Sequence, residues 1–181
     1  MYRNRKNIRL RGYDYSSEGF YFITICTKNR KYFFGNIQNK KFKFSPIGAI
    51  AYTYWHQIPY HFDKVQLGEF VIMPNHIHGI IKIIQPSKIS DKLEKQTYKC
   101  GFSHQSFNGK KNKFKYTIPG SISSIINQFK SSVTRWCNIH NFEFEWQGKF
   151  HDRIIRNKQE FIRIEKYIQN NISNWNDDCF C

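Results

Sequence analysis

No run of about 18 apolar residues occurs anywhere in the chain, which leaves no candidate for a transmembrane helix. The amino end, Met1-Tyr2-Arg3-Asn4-Arg5-Lys6, is basic but lacks the apolar stretch of a secretory signal, so an intracellular, cytoplasmic protein is expected. A cysteine framework is missing as well. The five cysteines, at 26, 100, 137, 179 and 181, are odd in number and scattered, so neither a disulfide scaffold nor a zinc ribbon is suggested, and Cys179-Phe180-Cys181 makes only a weak metal pair. Acid is scarce: 13 Asp and Glu stand against 29 Lys and Arg, a net charge of +16. An excess of that size draws polyanions, and nucleic acid is the commonest of these inside a cell. Evenly mixed charge would serve solubility better.

Aromatic residues, by contrast, make up 18% of the chain, more than an interior of this size calls for, and leave rings to stack on bases. The 181 residues suit one domain with its own core, and no repeat or boundary divides them, so 1–181 reads as a single unit. Residues 1–12 form a basic arm with Arg3, Arg5, Lys6, Arg9 and Arg11 and no acid. Residues 20–27 are β-rich and apolar on both faces, the pattern of a central strand. Lys31 to Phe44 reads as a short hairpin with turns near Gly35 and Asn39. Ser45-Pro46 opens a helix that Pro59 stops, with serine as cap and proline in the first turn. Its apolar positions are Ile47, Ile50, Ala51, Tyr54, Trp55 and Ile58.

Leu67–Met73 and His76–Ile84 follow as two strands broken at Pro74-Asn75. Residues 85–120 carry eight lysines and few aliphatics, and read as a basic insertion that is either a solvated loop or a DNA contact. A helix from about Ser121 to His140 buries Ile122, Ile125, Ile126, Phe129, Val133 and Trp136, with Lys130 off that stripe. Phe142–Arg156 is extended with a turn near Gly148. A last helix is capped by Asn157 with Glu160 as its capping-box partner and runs to about Asn171. This order predicts an α+β fold, a ferredoxin-like or RRM-like antiparallel sheet with helices packed on one face and the other left open to a ligand.

His76-Ile77-His78 carries the chemistry. Residues two apart on a strand share a face, so both imidazoles project side by side, and paired neutral imidazoles make a metal site. Taken alone the pattern equally fits two polar residues on a solvated sheet face, which would contribute little to the core. Gly79 beside them leaves room for backbone or ligand. On the last helix, Phe161, Ile164, Ile168 and Ile172 form the buried arc. Tyr167 lies at its border, Asn171 one turn on, and Glu160 and Arg163 on the same side.

The ordered series Arg9-Leu10-Arg11-Gly12-Tyr13-Asp14-Tyr15, Gly19–Thr27, Val71-Ile72-Met73-Pro74-Asn75-His76-Ile77-His78-Gly79-Ile80, Gly120-Ser121-Ile122-Ser123, Phe129-Lys130-Ser131, Trp146-Gln147, Phe150–Arg156 and Tyr167-Ile168-Gln169-Asn170-Asn171 covers most of the chain. It resembles the single-tyrosine HUH transposases and, within them, the REP-associated tyrosine transposases. The resemblance implies a metal-dependent endonuclease and strand-transferase for single-stranded or hairpin DNA, with Tyr167 as nucleophile through a 5′-phosphotyrosine. It implies His76 and His78 as ligands of Mg²⁺ or Mn²⁺, with Asn171 as a third. Candidate DNA contacts are Arg3, Arg5, Lys6, Arg9, Arg11, Lys130, Arg153, Arg156 and Arg163. The protein is then expected as a monomer or homodimer associated with the nucleoid, without a membrane partner. One departure stands out: the family often has Asn-Pro where this chain has Asn171-Ile172.

Two rivals come from other classes. A non-catalytic single-strand nucleic-acid-binding module on the same sheet predicts binding without metal dependence or covalent product. A zinc hydrolase would need His151 or His61 to complete the site.

Overall fold

Strand Gly19–Cys26 (β1) sits where its two-faced apolar pattern puts it, between neighbours on both sides. In the computed structural model, which describes residues 9–10, 12–84 and 118–175, a ribbon follows it: Gly35–Gln38 (β2) pairs with Lys41–Phe44 (β3). Next come helix Pro46–His56 (α1), a short helix Ile58–His61 (α2), and strands Val65–Ile72 (β4) and His76–Ile83 (β5). Helix Ile122–Ile139 (α3), strand His151–Ile155 (β6) and helix Lys158–Asn170 (α4) close the described chain. The main sheet runs β4-β5-β1-β6, every pair antiparallel. Each half therefore follows a strand–helix–strand path, and the expected ferredoxin-like α+β architecture is what forms.

The caps explain where helices begin. Ser45 Oγ accepts from the Gly48 N–H at 3.0 Å, Ser121 from that of Ser124, and Asn157 Oδ1 from that of Glu160 at 2.8 Å. Each such cap stabilises its helix by about 1 kcal/mol. Glu160 reaches back to the Arg156 N–H rather than to the cap itself. Pro59 does not end the helical path. It sits in the first turn of α2, where a missing N–H costs nothing.

The pleat divides the sheet into two layers. Tyr21, Ile23, Ile25, Ile77, Ile81 and Ile83 face α1 and α3, where Trp55, Ile125, Ile126 and Phe129 complete the larger core. Trp55 stacks on Phe70 with ring centroids 4.8 Å apart. A Cβ on Gly79 would overlap the Trp55 indole, so the glycine makes room for that ring and not for a ligand. On α3 the buried stripe continues to Cys137, while Trp136 is only half-buried and stacks on Phe142 at the surface.

The opposite layer corrects one expectation. Helices α1 and α3 do cover one face, but α4 lies across the other. Ile164 and Ile168 pack there on Val71, Met73, Ile80 and Ile155, with Phe161 and Ile172 alongside. The physical reason is the apolar content of that face, which water would otherwise wet. Arg3, Arg5, Lys6, Arg11, residues 85–117 of the basic insertion and the Cys179–Cys181 pair lie outside the described residues. Among the described residues no helix is long and apolar enough to cross a membrane.

Candidate functional site

The tight connection at Met73–Asn75 delivers the histidines. The Met73 N–H donates to the His76 carbonyl at 2.9 Å, and the Thr27 N–H donates to that of Asn75 at 2.9 Å. β5 then holds both imidazoles on one face with ring centroids 4.5 Å apart. They are not on a solvated surface: His76 is 0% exposed and His78 1%. The expectation that they add little to the core is therefore corrected. α4 and the residues after it shut them in, with Trp175 stacked beside His76 and Phe22 beside His78.

Each ring is oriented through Nδ1. His76 Nδ1 lies 2.7 Å from Asn75 Oδ1, an acceptor, so Nδ1 carries the proton and Nε2 is the basic nitrogen. His78 Nδ1 lies 2.8 Å from Thr24 Oγ1, its cross-strand partner in register. The tautomer that donates to Thr24 leaves the Nε2 lone pair facing the Tyr167 hydroxyl at 3.1 Å. Burial drives His76 from an ordinary imidazole pKa of 6.5 down to about 3, and the Arg30 guanidinium adds to the effect. The ring is thus neutral at physiological pH, the form in which imidazole binds a metal.

Tyr167 occupies the expected border of the α4 stripe and is 41% exposed, its ring set edge-on to Phe22. Asn171 follows as the C-cap of α4. It is buried, and its Oδ1 has no hydrogen-bond partner among the described residues. A lone amide oxygen held dry is costly unless something accepts it as a ligand. The missing proline at 172 does not lengthen the helix: α4 ends at Asn170, and Asn174 N–H caps the Asn170 and Asn171 carbonyls.

The proposed ligands include an amide and only two imidazoles, and no group of three His, Cys, Asp or Glu able to hold a metal gathers among the described residues. His151 faces Thr24 across β1–β6, so two strand spacings, roughly 10 Å, separate its backbone from that of His78. His61 is exposed on α2. Neither completes a zinc site.

The basic residues divide. Arg153 and Arg156 are exposed on and just after β6, and Arg163 is exposed on α4. Arg153 pairs with Glu160 at 2.6 Å. Lys130 is instead a strut: its Nζ donates to the Gln147 carbonyl at 2.8 Å and lies over the Trp146 ring. Arg9 points away from the histidines. It donates from Nε to Asp152 Oδ1 at 2.9 Å and from Nη1 to Ser123 Oγ at 2.7 Å, in the layer of α3. Sequence reasoning missed Thr24, Asn75 and Arg30. The first follows from strand register, and the third from a left-handed turn at Asn29-Arg30 (φ 53° and 55°) that no local pattern announces.

No family model matches the chain. Its fold is that of a solved REP-associated tyrosine transposase bound to a REP hairpin: TM-score 0.59 at 16% identity, over 92% of this chain and 73% of that one. A putative transposase from Deinococcus radiodurans aligns at 13% identity over 90% of this chain and 95% of that one, with a TM-score of 0.40, and carries no weight here. In sequence, the chain is 38% identical over 176 residues to an uncharacterised protein of Haemophilus influenzae, covering 97% of this chain and 92% of that protein. The chain belongs to the family of that Haemophilus protein.

Proposed function

We propose that the chain is a metal-dependent single-strand DNA endonuclease and strand-transferase, a transposase-type enzyme that cuts hairpin-associated DNA through a phosphotyrosine at Tyr167. The observation that carries this is the Tyr167 hydroxyl at 3.1 Å from His78 Nε2, beside a second buried imidazole. His76 and His78 through Nε2, with Asn171 through its lone Oδ1, would hold Mg²⁺ or Mn²⁺. Both rings are already steered through Nδ1 by Asn75 and Thr24, as metal-ligating histidines usually are. When bound, the ion neutralises a phosphate oxygen and orients the phosphorus.

The protein's own groups do the rest. The Tyr167 hydroxyl gives up its proton as its oxygen attacks phosphorus, the bond to the 3′ oxygen breaks, and that oxygen takes up one proton and leaves as a free 3′ hydroxyl, so no net proton is gained or lost. The phosphate stays on Tyr167 as a 5′-phosphotyrosine whose ester bond is conserved, so the reverse attack rejoins a strand without ATP. The Nε2 lone pair that meets the hydroxyl here is the same one ligation would use. Nucleophile contact and metal ligation at that atom therefore exclude each other. Arg153, Arg156 and Arg163, exposed around α4, supply cations for the backbone.

The test is incubation of labelled hairpin oligonucleotides with the protein and Mn²⁺, read on a denaturing gel. A protein–DNA adduct that chelator abolishes supports the enzyme. Binding without adduct and without metal dependence supports instead a non-catalytic single-strand nucleic-acid-binding module.

A further inference from the structure

The β2–β3 ribbon takes no part in the site above, and its pleat sorts it sharply. Cross-strand partners Ile37 and Phe42 turn inward, Ile37 onto the cluster beneath α4 and Phe42 onto the larger core. Asn36, Gln38, Lys41 and Lys43 take the other face, and all four are exposed. Register sets Asn36 against Lys43 and Gln38 against Lys41, so each lysine faces an amide. A ribbon needing only solubility gains more from a carboxylate across from each lysine. Residues 35–44 contain no acid, and among the described residues neither Lys40, Lys41 nor Lys43 joins an ion pair.

The tip points the same way. Asn39 and Lys40 form a two-residue turn with φ of 51° and 57°. Asn-Gly meets that geometry with less strain, so Lys40 keeps a cation at the leading edge where glycine fits better.

We propose that the outer face of the β2–β3 ribbon enters the major groove of a DNA stem and reads it. This rests on the reading of the chain as an enzyme of hairpin DNA. The major groove of B-DNA, about 12 Å wide, admits a two-stranded ribbon. Each four-residue strand spans about 13 Å. Asn36 and Gln38 match adenine through paired hydrogen bonds, and lysine matches the acceptor edge of guanine or a phosphate. Ile37, on the inner face, packs on the cluster that also holds Ile164 and Ile168, so the ribbon shares a core with the helix that carries Tyr167.

The experiment measures binding of the full chain to three probes: a labelled DNA hairpin, a stemless DNA strand of equal length, and the RNA hairpin of the same sequence. Wild-type adduct formation with Mn²⁺ is scored in parallel. K41Q/K43Q weakens the DNA hairpin on the order of ten-fold and lowers its salt slope by about two, while the stemless strand is unaffected. N36A/Q38A keeps the salt slope but loses sequence preference in selection from a randomised stem. All four side chains are exposed, so circular dichroism stays unchanged. Unaltered hairpin binding by both variants, or equal weakening on the stemless strand, overturns the proposal. So does tighter binding of the RNA hairpin, whose major groove is too narrow for the ribbon. If adduct forms but these variants behave as wild type, the ribbon reading falls alone. If no adduct forms while stem binding still depends on the ribbon, the enzyme reading falls and the ribbon stands.

Discussion

The Tyr167 hydroxyl and His78 Nε2 meet at 3.1 Å across 89 residues of chain, joining α4 to the second strand in from one edge of the sheet. The proposed nucleophile and a proposed metal ligand thus stand in contact within one chain. Its contacts are specific enough to be taken apart one group at a time.

Tyr167→Phe removes only the hydroxyl. The half-exposed ring keeps its edge contact with Phe22, so stability changes by no more than about 1 kcal/mol. DNA binding survives and the covalent adduct disappears. Tyr13→Phe and Tyr15→Phe still form it, since those hydroxyls meet Tyr21 and the Leu10 N–H instead. Mass spectrometry of the trapped peptide decides the matter: a linked peptide outside α4 refutes the assignment.

Histidine variants need care, because both rings are buried. Alanine at either position leaves a cavity and costs on the order of 2 kcal/mol, whereas glutamine fills more of the space. His76→Gln and His78→Gln together should abolish Mn²⁺ binding measured by titration calorimetry while the fold, followed by circular dichroism, persists. Undiminished Mn²⁺ affinity removes these residues from the metal site.

The metal-free protein should lose stability in acid through His76. Its folded pKa of about 3 lies below the ordinary 6.5, so between those values the unfolded chain binds the extra proton. Stability from this group is fully present above pH 6.5 and falls as pH drops toward 3. Denaturant midpoints across that window, compared between wild type and His76→Gln, should show a shallower decline in the variant. Equal slopes would mean the ring is solvated.

Arg9→Gln should act on folding more than on DNA. The Asp152 side chain is 2% exposed and Arg9 is its ion-pair partner, while Oδ2 has no hydrogen-bond partner among the described residues. Removing the guanidinium takes the ion-pair partner from a buried carboxylate, and because the Arg9 side chain is itself 39% exposed the cost is on the order of 1 kcal/mol. A lowered melting temperature with an unchanged salt slope for DNA is expected. The reverse pattern would restore Arg9 to the DNA-contacting arm.

Much of this was legible from pattern. Period-two and period-3.6 spacing located the strands and helices, Ser45 and Asn157 announced their helices, and His76 and His78 shared a face as strand geometry requires. Resemblance brought in Tyr167 and Asn171. What stayed hidden was long-range. Burial of the histidines depends on α4 crossing the sheet, and the Thr24 contact depends on register between strands 54 residues apart. Gly79 looked like room for a ligand because nothing local reveals the Trp55 ring behind it. Arg9 and Lys130 looked like free cations because a charge's partner is set by the fold, not by its neighbours in sequence.

The placement of α4 after every strand of the sheet also has a genetic reading. Translation makes Thr24 first, then the histidines, and the proposed nucleophile after both. A stop codon just past β6 would leave the larger core between the sheet, α1 and α3 intact in composition, but would remove α4 with Tyr167 and Asn171 and uncover Val71, Met73 and Ile80 on the opposite face. Such an allele would lose the proposed nucleophile and the cover of an apolar layer together, so decay of the gene from its 3′ end would strike the proposed chemistry and the packing of the sheet in one step.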